Sequence, residues 1–148
     1  MQIPPVGLSR PWYAATGGVG LSESIQAFTQ VLRAPAPDSG WRTHLSGRLD
    51  PLREAFAEYR AATEGEDGLY AQVVSEAPRL AHEVDGLVAE RGAVERAMAN
   101  LARQAAEASA DAETLRRGAQ DMLSGLTKHR QHVADVVYTA YAVDIGGE

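Results

Sequence analysis

The sequence predicts an all-α protein, an antiparallel four-helix bundle over residues 21–148 behind an irregular Pro/Gly-rich N-terminal arm, residues 1–20. Three observations carry this expectation. Apolar residues recur three and four apart along four separate stretches, the period of a helix with one buried face. No stretch alternates apolar and polar residues for long enough to argue a strand. The connections between the four stretches are short, and four such helices bury their stripes best against one another.

The arm carries tandem prolines, a third proline before Trp12, and the run TGGVG, with Trp12 and Tyr13 placed to dock on the body. The first helix follows from Leu21, Ile25, Phe28 and Leu32, with Ser22 as its N-cap candidate. APAPDSG, residues 34–40, ends it with two prolines and a turn cluster. The second helix runs from about Trp41 to Thr63 on the stripe Trp41, Leu45, Leu49, Leu52, Phe56 and Tyr59. Pro51 inside it predicts a kink or a lost hydrogen bond. TEGEDG, residues 63–68, is the connection.

The third helix is predicted from Leu69 to Ala106, bent near Pro78. Its seam reads Leu80, Val84, Leu87, Arg91, Val94, Met98 and Leu101, alternating four and three without a slip, which marks bundle packing. EASADAE breaks the pattern, and Asp111 is the N-cap candidate of the fourth helix. That helix carries Leu115, Ala119, Met122, Leu126, His129, Val133, Val136, Ala140 and Val143.

Composition narrows the function by exclusion. A chain of 148 residues holds one domain with a real core. Its net charge of −6, with no basic stripe, disfavours nucleic acid. The absence of cysteine removes disulfides, thiolate chemistry and cysteine-based metal sites. No apolar run reaches the ~18 residues of a membrane span, and the N-terminus lacks the pattern of a secretory signal. A cytoplasmic protein, without membrane or nucleic-acid partner, is the expectation.

Three seam positions break the stripes: Tyr59, Arg91 and His129. A core arginine needs a carboxylate or a bound anion, because an unpartnered buried cation costs several kcal/mol, roughly. Glu83, Glu90 and Glu58 flank the seams, and His132 follows His129 by one turn. Arg91 and His129 are expected to share a layer, and Tyr59 need not. Each residue also has a structural explanation: a core ring, a snorkelling or register-setting arginine, a hydrogen-bonded core histidine. His44 and His82 fall off the stripes, and no phosphate-binding, GxSxG or HExxH motif is present.

The segments TEGEDGLY (63–70), PRL (78–80), AER (89–91) and HRQHVADVVYTAYAVDIGGE (129–148) resemble an actinobacterial branch of the hemerythrin-like (HHE) proteins, over roughly residues 41–148. The high alanine, arginine and glycine usage suits a GC-rich bacterial source. The resemblance implies a four-helix bundle whose inward His, Glu and Asp side chains hold two non-haem irons. Of three histidine positions of that branch, the first is Tyr59 here, the second is Arg91, and only His129 remains. An arginine brings a permanent cation without a lone pair. A full di-iron site is therefore not expected, and the metal alternative is one weakly held ion on His129, Glu90, His132 and Glu83.

Three functions follow as expectations. The first is a hemerythrin-like binding protein with a degenerate site, in which Tyr59, Arg91 and His129 line a pocket for a small polar or anionic ligand or a single metal. The second is a metal-free interaction or scaffold protein, with a homodimer among its partners and the seam groups as an internal ion pair. The third, ranked last, is an enzyme with His129 as general base and Arg91 as holder of an anionic substrate.

Overall fold

The computed structural model describes residues 18–34, 39–107 and 109–146. Among them every regular element is helical: α1 (Gly18–Arg33), α2 (Ser39–Glu64), the short α3 (Leu69–Glu76), a 3-10 turn (Pro78–Leu80), α4 (Ala81–Ala106) and α5 (Ala112–Gly146). None of these helices is long and apolar enough to cross a membrane. The arm expected over residues 1–20 lies outside the described residues up to position 17, and α1 already includes Gly18 to Gly20. Ser22 is thus interior to α1 and not its cap.

The stripes become one core. Leu21, Phe28 and Leu32 of α1, and Trp41, Leu45, Leu49, Leu52, Phe56 and Tyr59 of α2, are all buried. So are Val84, Leu87, Arg91, Val94, Met98 and Leu101 of α4, and Leu115, Ala119, Met122, Leu126, His129, Val133 and Ala140 of α5. Near the end of α5 the buried position is Val137, with Val136 only partly covered. The stripe drifts by one residue there because 3.6 residues per turn does not keep a strict seven-residue register over a 35-residue helix. Val143 lies among residues whose side chains are outside the description. In packing, α1 leans chiefly on α2, α4 on α5, and α2 on α4.

The helix predicted over 69–106 is two helices. Pro78 has no N–H to donate, and its ring disfavours helical geometry in the residue before it. Ala77 accordingly leaves the helix at φ −139°, ψ 78°, and the chain restarts through the 3-10 turn. Pro51, by contrast, is absorbed within α2, which continues to Glu64.

Polar side chains fix the ends. The Asp111 carboxylate accepts the Thr114 N–H at 2.7 Å, the N-cap expected for α5. This bond holds the Asp111 carboxyl below the usual carboxylate range. Arg42 donates to the carbonyls of Ala105, Glu107 and Ala110, capping the C-terminus of α4. Arg116 donates to the carbonyls of Leu32 and Ala34 while its guanidinium lies 5.0 Å from the Trp41 ring, and Trp41 Nε1 donates to Val31 O at 2.9 Å. Both arginines place positive charge where the helix dipole is negative.

The 65–68 turn matters most for the interior. A Cβ at Gly68 would stand 2.6 Å from the Ala62 carbonyl oxygen, and one at Gly65 2.5 Å from that of Ala61. Only glycine lets the backbone pass that close to the end of α2. The tight passage sets α3 directly against α2, with Leu69, Tyr70 and Val73 buried.

Candidate functional site

Four helices contribute to a polar layer at the 65–68 end of the core. From α2 come Tyr59 and Thr63, both buried, and the partly buried Glu64. Tyr70 is supplied by α3, Glu90 and Arg91 by α4, and His129 and His132 by α5. Phe56 backs the layer, stacked on Tyr59 with ring centroids 5.4 Å apart and 11° between planes. The His129 imidazole meets Tyr59 edge-on at 5.6 Å and Phe56 at 6.4 Å.

His129 is fully buried, and its Nδ1 lies 2.9 Å from Oε1 of Glu90. The other Glu90 oxygen lies 2.6 Å from Nδ1 of the exposed His132. A carboxylate only accepts hydrogen bonds, so both imidazoles donate Nδ1–H to it. Nε2 of His129 therefore carries a lone pair, and it is buried with no hydrogen-bond partner. Burial holds the His129 pKa below the ordinary imidazole value, with the Glu90 carboxylate pulling the other way.

Two more polar atoms in the layer share that condition. The hydroxyls of Tyr59 and Tyr70 are buried and unpaired. They approach one another closely enough for a weak hydrogen-bond interaction, which raises Tyr59 and lowers Tyr70, although neither oxygen has a well-formed partner. Burial pushes Tyr70 up to about 12 and Tyr59 further still, so both carry their protons at any physiological pH. The Thr63 hydroxyl donates back to the carbonyls of Tyr59 and Arg60 at 2.9 and 3.2 Å and also lies near enough to the Tyr70 hydroxyl to lower its pKa.

Arg91 is spoken for. Its Nε and Nη2 reach the two carboxylate oxygens of Glu64 at 2.7 and 3.1 Å, and Nη1 reaches Glu95 at 2.7 Å. The Glu64 bond raises its pKa despite the burial. The partners anticipated for Arg91 on the seam flanks, Glu83, Glu90 and Glu58, are not the ones it has. Glu90 serves the two histidines, Glu83 is exposed in the first turn of α4, and Glu58 is exposed on α2.

No family model, curated protein or solved structure matches this chain. The geometry alone must therefore decide what the layer can hold.

A di-iron centre needs several imidazole lone pairs and bridging carboxylate oxygens directed at a common point. Here Arg91 offers no lone pair, His129 offers one at Nε2, and both Glu90 oxygens are engaged by the two histidines, so several imidazoles and a bridging carboxylate do not meet. Among the described residues no group of three or more His, Asp or Glu is arranged to hold a metal ion. The donor set present does not fit a di-iron centre.

Of the sequence candidates, the structure thus brings Tyr59 and His129 together and places Glu90 and His132 behind His129. Arg91 stands one residue along α4, turned to Glu64. Tyr59, which was not required to share the layer, adjoins His129 directly. Tyr70, Glu64 and Glu95 escaped the sequence reading. Tyr70 had a signal: Tyr70, Val73, Ala77 and Leu80 continue the α4 seam backward at three and four, across the proline that obscures it. Glu95 lies four residues after Arg91, a readable helix pair. Glu64, 27 residues away in sequence, left none.

Proposed function

We propose that this chain is a hemerythrin-like binding protein, an antiparallel four-helix bundle whose altered metal position takes a small polar ligand. One observation carries the reading: His129 Nε2 lies buried without a hydrogen-bond partner, in the layer where the buried hydroxyls of Tyr59 and Tyr70 have only weak interactions with one another and with Thr63. Leaving such groups unsatisfied costs about 1–3 kcal/mol each, and folded chains pair nearly all of them. A ligand that completes their hydrogen bonds recovers that energy. Arg91 supports the shell and not the ligand, because its donors are matched by Glu64 and Glu95. That disposition also weakens the enzyme alternative, which needs Arg91 to hold an anionic substrate.

A metal-free interaction protein is the second reading, favoured by the Arg91–Glu64 pair as an internal register pin between α4 and α2. It gives the unpaired His129 Nε2 no role.

The test follows the imidazole itself. In 15N-labelled protein, the His129 Nε2 resonance is recorded against methanol, formamide, formate and ammonium. At least one probe is expected to move it saturably, and the Tyr59→Phe/Tyr70→Phe variant is expected to lose that response. A resonance indifferent to all four would refute a ligand site in this layer.

A further inference from the structure

Hydrogen bonds tie α1 to α5 at two places. Arg130 donates to Ser22 Oγ at 3.3 Å, and Arg116 donates to the carbonyls of Leu32 and Ala34. Between these ties an open groove of about 590 Å³ lies along the seam of the two helices. Its floor is apolar: Leu32 is buried, and Ile25 and Leu123 are partly buried against the core. Thr29 spends its hydroxyl on the Ile25 carbonyl at 2.7 Å, and the exposed Ser124 and Thr127 form the α5 rim.

Both charges on that rim are positive. Lys128 lies toward the Ser22 end, beside Arg130 in the sequence by two residues, and Arg33 lies at the Leu32 end. Both are exposed, and neither has an ion-pair partner among the described residues. Among those residues no acidic side chain lines the groove. From Ile25 to Arg33 the groove follows α1 for about 12 Å, roughly two turns. The sign is local to this side of α1. The chain as a whole carries −6, and the groove on the α2 side of α1 is lined by Glu23, Glu54 and Glu58 with Arg48.

An apolar floor two turns long with a cation toward each end is the complement of an amphipathic helix. Apolar side chains at i, i+3, i+4 and i+7 fill such a floor, and flanking carboxylates meet Lys128 and Arg33. A single-headed amphiphile such as a fatty acid would engage one cation and leave the other idle. An anionic bilayer would repel a chain of charge −6. Residues 1–17 of this chain carry Arg10 as their one charged side chain, of the wrong sign for the groove.

We propose that the α1–α5 groove docks an amphipathic helix of another protein, with apolar residues on its buried face and an acidic residue at each end of that face. The site is separate from the core layer and needs nothing bound there.

Two Ala-rich peptides of about 18 residues, long enough to hold helix in water, test this. Both carry leucines at i, i+3, i+4 and i+7, flanked by glutamates in one and by lysines in the other. In the 15N-labelled chain the glutamate peptide should shift the amides of Ile25, Thr29, Leu123 and Thr127 saturably. The lysine peptide should bind about tenfold more weakly. Arg33→Glu/Lys128→Glu should reverse that order, because it changes the sign of both rim charges. Its amide spectrum checks that the fold is kept, and should it unfold, the wild-type comparison of the two peptides decides alone. Absence of a saturable shift with the glutamate peptide, equal binding of both peptides, or shifts confined to the α1–α2 groove would overturn the proposal. Groove shifts that grow with protein concentration alone would overturn it in favour of a second copy of this chain. A saturable response to monomeric dodecanoate with none to the glutamate peptide would assign the groove to a lipid instead.

Discussion

His129 occupies a leucine position in the α5 stripe, and its environment keeps it neutral there. In the unfolded chain an imidazole takes up its proton near pH 6.5, and in the fold burial delays that uptake to lower pH. Between the two values the unfolded state binds more protons, so stability falls as the pH drops below 6.5. Above that range the group has no effect. The His129 contribution to the slope is bounded at about 1.4 kcal/mol per pH unit. His129→Gln should unfold with a shallower acid dependence than the wild type, measured as urea midpoints from pH 7 downward. Equal slopes would mean that the imidazole titrates normally in the fold. The position of this residue was legible as a polar break in an apolar stripe, and so were Tyr59 and Arg91. The partners were not: Glu90 lies 39 residues away, and which carboxylate faces which seam depends on helix rotations that periodicity does not fix.

At the level of elements, the charge pair Arg91–Glu64 ties α4 to α2. The Arg91 side chain is 8% exposed and that of Glu64 16%, and their two-point contact is the main offset to desolvation, with Glu95 on Arg91 and the more distant Arg60 on Glu64 as secondary partners. Arg91→Leu should destabilise the protein by about 3 kcal/mol, because it leaves a largely buried carboxylate with only the half-exposed Arg60, 3.8 Å away, as a partner. Adding Glu64→Leu should restore much of that loss, since replacing both members of a buried pair by apolar groups is far less costly than breaking it. Chemical denaturation of the single and double variants checks this, and a double variant no more stable than the single would assign Arg91 some other task. Helix existence and core faces were readable from spacing alone, as the α2 and α4 stripes show residue by residue. Boundaries were less so. Ser22 had the chemistry of a cap but lies inside α1, and the 69–106 stretch kept its period across Pro78 while the backbone broke at Ala77.

Across the whole molecule, the residues that resist the apolar pattern collect in one layer beside the 65–68 turn. There α2 ends, α3 is pressed against it by the glycine turn, and α4 and α5 present Glu90 and His129. The layer uses its carboxylates to orient an imidazole and neutralise a guanidinium, leaves the imidazole Nε2 without a partner, and gives its two phenols only weak interactions. The proposed function reads that division of labour as a hydrogen-bonding site, and the donor set does not fit a di-iron centre. Iron content and the visible spectrum under air, for protein purified from iron-supplemented medium, test this most directly. The account predicts far less than one iron per chain and no oxo-bridge absorption. About two irons per chain with that absorption would contradict it.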